Sequence, residues 1–388
     1  MLVQRRDWVR FLLCLFCTLP SVFLSRASTA QCESTSTDDM NPVADHVEVP
    51  RLVAVGDLHG DFENAMQVLQ FSQVIDAEGH WIGGTAHLVQ TGDIVDRGHN
   101  STALLDFFSK LQKEAICAGG KVTCLLGNHE LMILQGDLRY VSRTELLALA
   151  EAAGKAGSLS EGRRIWESLY APSAERGGWL RKHRDAAVVT GEGSCRTLFV
   201  HAGLLPEHVE FHPGEGALAS LNNEIFSKLA GPRAAHSHYL GDRGPFWYRG
   251  FVMGEERYAC PLLQRTLEAV GATQMVVGHT VQSNGVSTRC AGRLHMIDVG
   301  ISRAYGGNLA SWECRAPNLP HAIYGPSLSV PLMEQNRAGQ DLPPQVDWML
   351  DFLRPEVLRV TLLGLMSMWA LRRLLAIYMN RNPAAKNV

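Results

Sequence analysis

Six side chains in this sequence could hold metal ions, and each follows a short apolar run. Asp57 and His59 stand in Gly56-Asp57-Leu58-His59-Gly60, and Asp93 stands in Thr91-Gly92-Asp93-Ile94-Val95-Asp96-Arg97-Gly98. Asn128 opens Asn128-His129-Glu130 after Gly127, His201 precedes Ala202-Gly203, and His279 lies between Gly278 and Thr280. Carboxylate, imidazole and amide oxygen together suit borderline metals such as manganese, iron and zinc. Two such ions about 3.5–4 Å apart, sharing a ligand and a water, make a hydrolytic centre for phosphate esters. Asp57 and His59 can turn toward one ion, Asp93 can bridge, and Asn128, His201 and His279 can complete the second. Singly, each reads equally well as a turn or core residue. Five run ends that each offer a ligand type do not.

The same stretches supply the rest of a phosphate ester's chemistry. His129 follows Asn128 directly, so it can lie beside the ions without binding them, and Asp96 can hold its ring charged for proton donation to a leaving group. Arg97 is next to the site. Arg249, in Gly244-Pro245-Phe246-Trp247-Tyr248-Arg249-Gly250, is a second candidate, because a guanidinium matches two phosphate oxygens. A surface position among aromatics is the alternative for Arg249.

These residues need elements that bring them together. Arg51–Val55, Ala86–Gln90 and Val122–Leu126 read as strands that end in the first three motifs. Phe62, Ala65, Met66 and Leu69 recur at helical spacing, as do Leu104, Phe108 and Leu111. Asn100 or Ser101 can cap the second helix, a reading preferred over use of Asn100-Ser101-Thr102 as a glycosylation sequon. Strands resume at Ala187–Thr190 and Thr197–Val200. A helix from about Leu262 to Val270 precedes a strand at Gln274–Val277, and a final strand at Arg293–Asp298 closes the core. Open α/β sheets bind ligands at strand ends of this kind. Between the third and fourth motifs, residues 136–180 read as a helical insertion, with helices at Thr144–Ala153 and Arg163–Tyr170 around a Gly/Ser-rich turn.

The 388 residues are 46% hydrophobic and 19% charged, which predicts a packed core and excludes wholesale disorder. A formal charge of −3 gives no reason to expect nucleic acid as a partner. Residues 1–30 read as a secretory signal: Arg5, Arg6 and Arg10, an apolar run from Phe11 to Leu24, then small residues up to a cleavage after Ala30. An uncleaved signal anchor is the alternative. Residues 31–48 read as a linker, 49–315 as the domain, 316–345 as a Pro-rich second linker, and 346–388 as an amphipathic or membrane-associated segment. There Arg372 and Arg373 interrupt two apolar stretches. An interfacial helix, a short span stretched by snorkelling, and a helix docked on the domain remain open.

The expected location is the secretory pathway: the endoplasmic reticulum, another endomembrane or the exterior, with membrane association through the C-terminal segment as one outcome. Of nine cysteines, Cys14 and Cys17 leave with the signal. In an oxidising lumen some of the others can pair, Cys32 and Cys314 most freely, while Cys124 reads as a buried thiol. Nothing in the sequence sets an oligomeric state.

From about Arg51 to Gly300 the order and spacing of the motifs resemble those of the phosphoprotein phosphatase family of metallophosphoesterases. Ile94 stands where the eukaryotic serine/threonine members have Tyr, the fourth motif reads His201-Ala202-Gly203, and Ile297-Asp298-Val299-Gly300 occurs where those members carry Ser-Ala-Pro-Asn-Tyr. With the Gly-Pro-Phe-Trp-Tyr-Arg stretch, these departures resemble the Shewanella-like branch. The resemblance implies an α/β fold, a β-sandwich flanked by helices. It implies two divalent ions (Mn, Fe or Zn), held by Asp57, His59 and Asp93 on one side and by Asp93, Asn128, His201 and His279 on the other. His129 with Asp96 would be the acid, and Arg97 and Arg249 the phosphate ligands. The implied reaction is direct hydrolysis of phosphomonoesters on phosphoproteins by a metal-bound hydroxide, without a phosphoenzyme. Some members of the branch prefer phosphotyrosine, which puts a serine/threonine preference in question. A dinucleoside polyphosphate hydrolase with the same metal set is the alternative, with Arg163, Arg164 and Trp166 as its base-binding patch.

Overall fold

Leu52–Val55 (β1), His87–Gln90 (β2) and Lys121–Cys124 (β3) lie side by side and run parallel. All four β1 side chains are buried, as expected for a strand covered on both faces. Parallel neighbours cannot be joined by a tight turn, so helices make the crossovers: Phe62–Phe71 (α1) and Ser101–Cys117 (α2). Asp61 caps α1 by accepting the Asn64 N–H at 3.3 Å. The structure, a computed structural model, describes residues 51–332 except 183, 211–213, 215 and 232–236. The expected signal, the first linker and the C-terminal segment fall outside the described residues.

The chain does not leave the core after the strand that the sequence reading placed last. Ser311–Cys314 (β9) pairs antiparallel with the free edge of β1, and His321–Gly325 (β10) and Leu328–Pro331 (β11) extend the sheet to the order β11-β10-β9-β1-β2-β3. The domain end at 315 and the linker beginning at 316 are therefore corrected: 321–331 is a hairpin of the sheet. The prolines that suggested a linker fall where a sheet tolerates them. Pro317 and Pro320 lie between strands, and Pro331 is on the outermost strand.

The second sheet contains Ala187–Thr190 (β4), Thr197–Val200 (β5), Gln274–Val277 (β6), Ser287–Arg289 (β7) and Leu294–Met296 (β8), in the order β4-β5-β6-β8-β7. The two sheets face each other. Trp312 of β9 is fully buried, with its ring 5.7 Å from Phe199 of β5 and 5.8 Å from His295 of β8. A Cys195–Cys314 disulfide joins the residues before β5 to β9. Cys314, expected to be free to pair, lies in a core strand and pairs with Cys195; another bridge links Cys260 to Cys290. Cys124 is a buried free thiol, as expected.

Helices fill the connections. Asn128–Leu134 (α3) follows β3. Arg143–Ala152 (α4), Leu159–Leu169 (α5) and Glu175–Lys182 (α6) occupy the segment read as a helical insertion. Gly216–Leu229 (α7), Gly250–Met253 (α8) and Glu256–Val270 (α9) follow β5. The last starts six residues before the expected Leu262 and carries Pro261 in its second turn.

Candidate active site

Each ligand candidate stands just after a strand. Asp57 and His59 follow β1, Asp93 follows β2, Asn128 begins α3 beyond β3, His201 follows β5 and His279 follows β6. The two sheets bring these ends together. His59, Asp93 and His129 form one group of close ligand atoms, and Asp93, His201 and His279 form another, sharing Asp93. All five are buried.

The loops that carry them are strained and tightly tied. His59, Asp93, Asp96, Arg97 and His279 all have positive φ, between 42° and 70°, which non-glycine residues seldom adopt. Leu58 and His59 donate their N–H groups to the Asp93 carbonyl at 3.0 and 2.9 Å, and Gly98 donates to the His59 carbonyl at 2.9 Å. The fully buried Glu130 carboxylate accepts from the backbone of Gly127, Asp93 and Ile94 at 2.8, 2.9 and 2.8 Å. With the Val95 N–H at 3.3 Å, four backbone donors satisfy this carboxylate without a cation. Glu130 therefore locks the second and third loops together.

The hydrogen bonds of the histidines decide which can bind metal. His59 Nδ1 donates to the Val95 carbonyl at 3.1 Å, and His201 Nδ1 donates to the Thr91 carbonyl at 2.9 Å. Burial lowers the His59 pKa to about 4, so in that neutral ring Nε2 is a lone pair. Burial also lowers that of His201, but Asp93 outweighs it and raises it above the ordinary value, and His201 Nε2 lies 3.0 Å from Asn128 Oδ1 as well. His59 Nε2 faces Asp57 Oδ2 at 4.0 Å and Asp93 Oδ2 at 3.7 Å; His201 Nε2 faces Asp93 Oδ2 at 3.4 Å. These ring nitrogens and carboxylate oxygens converge, as the ligands of a shared cation would. His279 Nε2 is buried with no hydrogen-bond partner, and burial holds its ring down to about 2, hence neutral. Its N–H donates to Asp57, whose carboxyl is pushed well up by burial and by Asp298 and Asp93. Burial also pushes Asp93 up, but His201, His129 and His59 outweigh it and hold the carboxyl well below its usual range. Asp298, after β8, is pushed up to about 6 by burial and the charge of Asp93. Buried carboxylates that repel one another, imidazole nitrogens turned toward them and an orphaned Nε2 fit divalent metal.

His129 differs from these rings at its other nitrogen. Its Nδ1 lies 2.6 Å from Asp96 Oδ2, a carboxylate instead of a carbonyl. Burial pushes the His129 pKa down, but Asp93 and Asp96 outweigh it and hold the ring above its ordinary value, while burial pushes Asp96 up to about 6. Held above its ordinary value, the His129 ring keeps its second proton to higher pH than a free imidazole, which makes Nε2–H a donor to a leaving group. Arg97 and Arg249 border the same cavity of about 500 Å³. Both are exposed, and among the described residues neither forms an ion pair. Arg249 is aimed by donating Nη1 to the His279 carbonyl at 2.9 Å and to Thr280 Oγ1 at 2.8 Å.

Residues 50–283 match the calcineurin-like phosphoesterase family. The chain belongs to this family. It is 36% identical to an uncharacterised protein of Schizosaccharomyces pombe over 68% of this chain and 77% of that one. It is 31% identical to Shewanella-like protein phosphatase 2 of Arabidopsis thaliana over 75% of this chain and 80% of that one. The crystal structure of a cold-active protein-tyrosine phosphatase from a psychrophilic Shewanella species superposes with a TM-score of 0.62 at 27% identity, covering 74% of this chain and 81% of that one. With this ligand set, the chain is a metal-dependent phosphatase.

Several residues of this phosphoesterase site have roles that the sequence reading did not assign. Glu130 and Asp298 were visible inside motifs but carried no function; a carboxylate three residues into a helix and another at a strand end were the available signals. Tyr140, Trp247 and Tyr305 line the cavity, with Tyr305 4.8 Å from His59 and Trp247 6.0 Å from His279, ring to ring. Arg163, Arg164 and Trp166 do not line it. Trp166 is buried against Tyr170, and Arg164 pairs with Glu161. Neither side chain expected to cap α2 does so: Asn100 makes no capping bond, and Glu145 of α4 accepts the Ser101 and Thr102 N–H groups instead.

Gly278 lets Asp57 approach. A Cβ there would lie 2.3 Å from Asp57 Oδ1 and 2.9 Å from Thr91 Oγ1. Gly278→Ala is expected to push the short Asp57 side chain aside and weaken metal affinity about 10- to 100-fold, like other losses of ligand support. Metal titration by calorimetry would measure it, and an unchanged affinity would contradict this role.

Proposed function

We propose that this phosphoesterase is a phosphoprotein phosphatase with two divalent ions, manganese among the metals it uses, acting on phosphotyrosine, on phosphoserine and phosphothreonine, or on both classes. One observation carries the reading: two unpaired arginines, an aspartate-held histidine and the metal-ligand set converge on one open cavity. The names of the Arabidopsis and Shewanella relatives support a protein substrate.

Bound metal supplies Lewis-acid activation of the phosphoryl group and of water. The chain's own residues do the rest. Arg97 and Arg249 bind non-bridging phosphate oxygens and neutralise charge that grows on them in the transition state. His129 delivers its Nε2 proton to the departing oxygen while Asp96 keeps the ring oriented and charged.

A phosphopeptide panel with added metals tests the reading. Turnover is expected with manganese, and chelation is expected to remove at least about 99% of it, with recovery on adding the metal back. Hydrolysis of a dinucleoside polyphosphate but of no phosphopeptide would favour the nucleotide reading. No turnover with manganese, iron or zinc would sink the enzyme reading.

A place in the secretory pathway belongs to the same proposal. Disulfides persist in oxidising compartments, and the Cys195–Cys314 and Cys260–Cys290 bridges support that placement. Among the described residues no helix is long and apolar enough to cross a membrane. Membrane attachment is proposed through 346–388, where release at alkaline pH would indicate a peripheral helix and retention a span.

A further inference from the structure

Asp96 and Arg97 stand together in left-handed backbone, with φ of 70° and 68°. Two consecutive non-glycine residues do not hold that conformation unless their surroundings impose it. The tethers come from outside the metal and phosphate set. Arg97 donates its N–H to the Tyr140 carbonyl at 2.9 Å. Asp96 donates its N–H to Ser101 Oγ at 3.2 Å, and the backbone of Ser101 is in turn held by Glu145. The Glu145 carboxylate, buried, also accepts the Thr102 N–H at 2.9 Å and the Thr102 hydroxyl at 2.8 Å. A carboxylate at the first turn of α2 also meets the positive end of that helix.

The Tyr140 side chain makes a second set of contacts. The Arg97 guanidinium lies over its ring, 3.8 Å from the centroid, and the His129 ring is 5.2 Å away. One aromatic side chain thus touches both the phosphate ligand and the proton donor. Arg97 is exposed and, among the described residues, has no carboxylate to aim it, so aromatic faces restrict its sweep: Tyr140 closely, and Tyr305 at 5.6 Å.

We propose that Tyr140 and Glu145, delivered by the start of the helical segment, are positioning residues for the phosphate-binding loop: Tyr140 aims the Arg97 guanidinium, and Glu145 anchors the α2 start against which Asp96 and Arg97 are held. The proposal rests on the assignment of Arg97 to phosphate made above. It ties the α4 end of the helical segment to the catalytic loop, so changes at that end reach turnover without touching substrate.

Two arms test it. Tyr140→Ala should raise KM for a phosphorylated substrate and the inhibition constant of inorganic phosphate about tenfold each, with kcat changed less. Tyr140→Phe keeps the ring and the carbonyl, and should hold both within about twofold of the unchanged protein. Separately, Glu145→Ala should speed amide hydrogen exchange across 96–102, read without any substrate or metal, while protection of β1 and β6 stays as it was. Tyr140→Ala with unaltered KM and phosphate inhibition would overturn the aiming role, and so would Tyr140→Phe behaving like Tyr140→Ala. Unchanged exchange at 96–102 in Glu145→Ala, or an equal rise throughout the core, would overturn the anchor. If the unchanged protein hydrolyses no phosphate ester, the functional reading fails, and the exchange arm still decides the anchor.

Discussion

Asp93→Asn is expected to lower kcat/KM by about three orders of magnitude or more, some 4 kcal/mol of transition-state stabilisation. Asp93 is the residue common to both ligand groups. Its Oδ2 lies 3.7 Å from His59 Nε2 and 3.4 Å from His201 Nε2, and Oδ1 accepts the His129 N–H at 2.9 Å. Asparagine keeps the shape and can keep the Oδ1 bond. Its NH₂ can also donate to the imidazole lone pairs that the carboxylate can only face. The variant should therefore fold, with a melting temperature close to that of the parent protein, while binding at least about tenfold less metal. Activity on an aryl phosphate, metal content by mass spectrometry and a thermal melt together separate lost chemistry from lost structure. A variant that keeps a tenth of the activity would show that Asp93 is no bridging ligand.

His129→Asn should cost about 10²- to 10⁴-fold in kcat on a phosphoserine peptide, the range expected for removing a general acid. The loss on a phosphotyrosine peptide should be smaller, because phenoxide departs with less need of a proton. The pH profile should change as well. Activity requires protonated His129, so it falls as pH rises through the His129 pKa. Asp93 and Asp96 hold that pKa above the ordinary value against burial, so the alkaline fall belongs above pH ~6.5 and should vanish from the variant's profile. Equal losses on the two peptides, or an alkaline limb that survives the substitution, would remove His129 from the role of acid.

These predictions share one structural fact. The histidines around Asp93 are not equivalent, and their chemistry follows from what holds the far nitrogen of each ring. A backbone carbonyl accepts from Nδ1 of His59 and of His201 and leaves Nε2 facing the ligand cluster. A carboxylate on His129 holds a proton. Residue type alone does not distinguish these cases.

The catalytic residues were legible in the sequence because each lies just beyond a strand, and strands announce themselves locally. Ala187–Thr190, Thr197–Val200 and Gln274–Val277 are strands with the ends read from their apolar runs. Short polar or glycine-bounded motifs after such runs mark where side chains leave the sheet. The sequence by itself therefore picked out the candidate ligands, acid and arginines that the fold gathers around one cavity, and it located the core strands up to β6.

Only the tertiary structure decided what depends on partners far away in the chain. The hairpin of β10 and β11 has no strong local pattern, and its place is set by pairing with β9, which in turn pairs with β1. Glu145 caps a helix that begins 44 residues before it, and Glu130 reaches back to Asp93 and Ile94. Periodicity reports which face of an element is buried. It cannot report which distant backbone donor a buried carboxylate will satisfy, and in this protein those long-range hydrogen bonds hold the strained loops in which the chemistry resides.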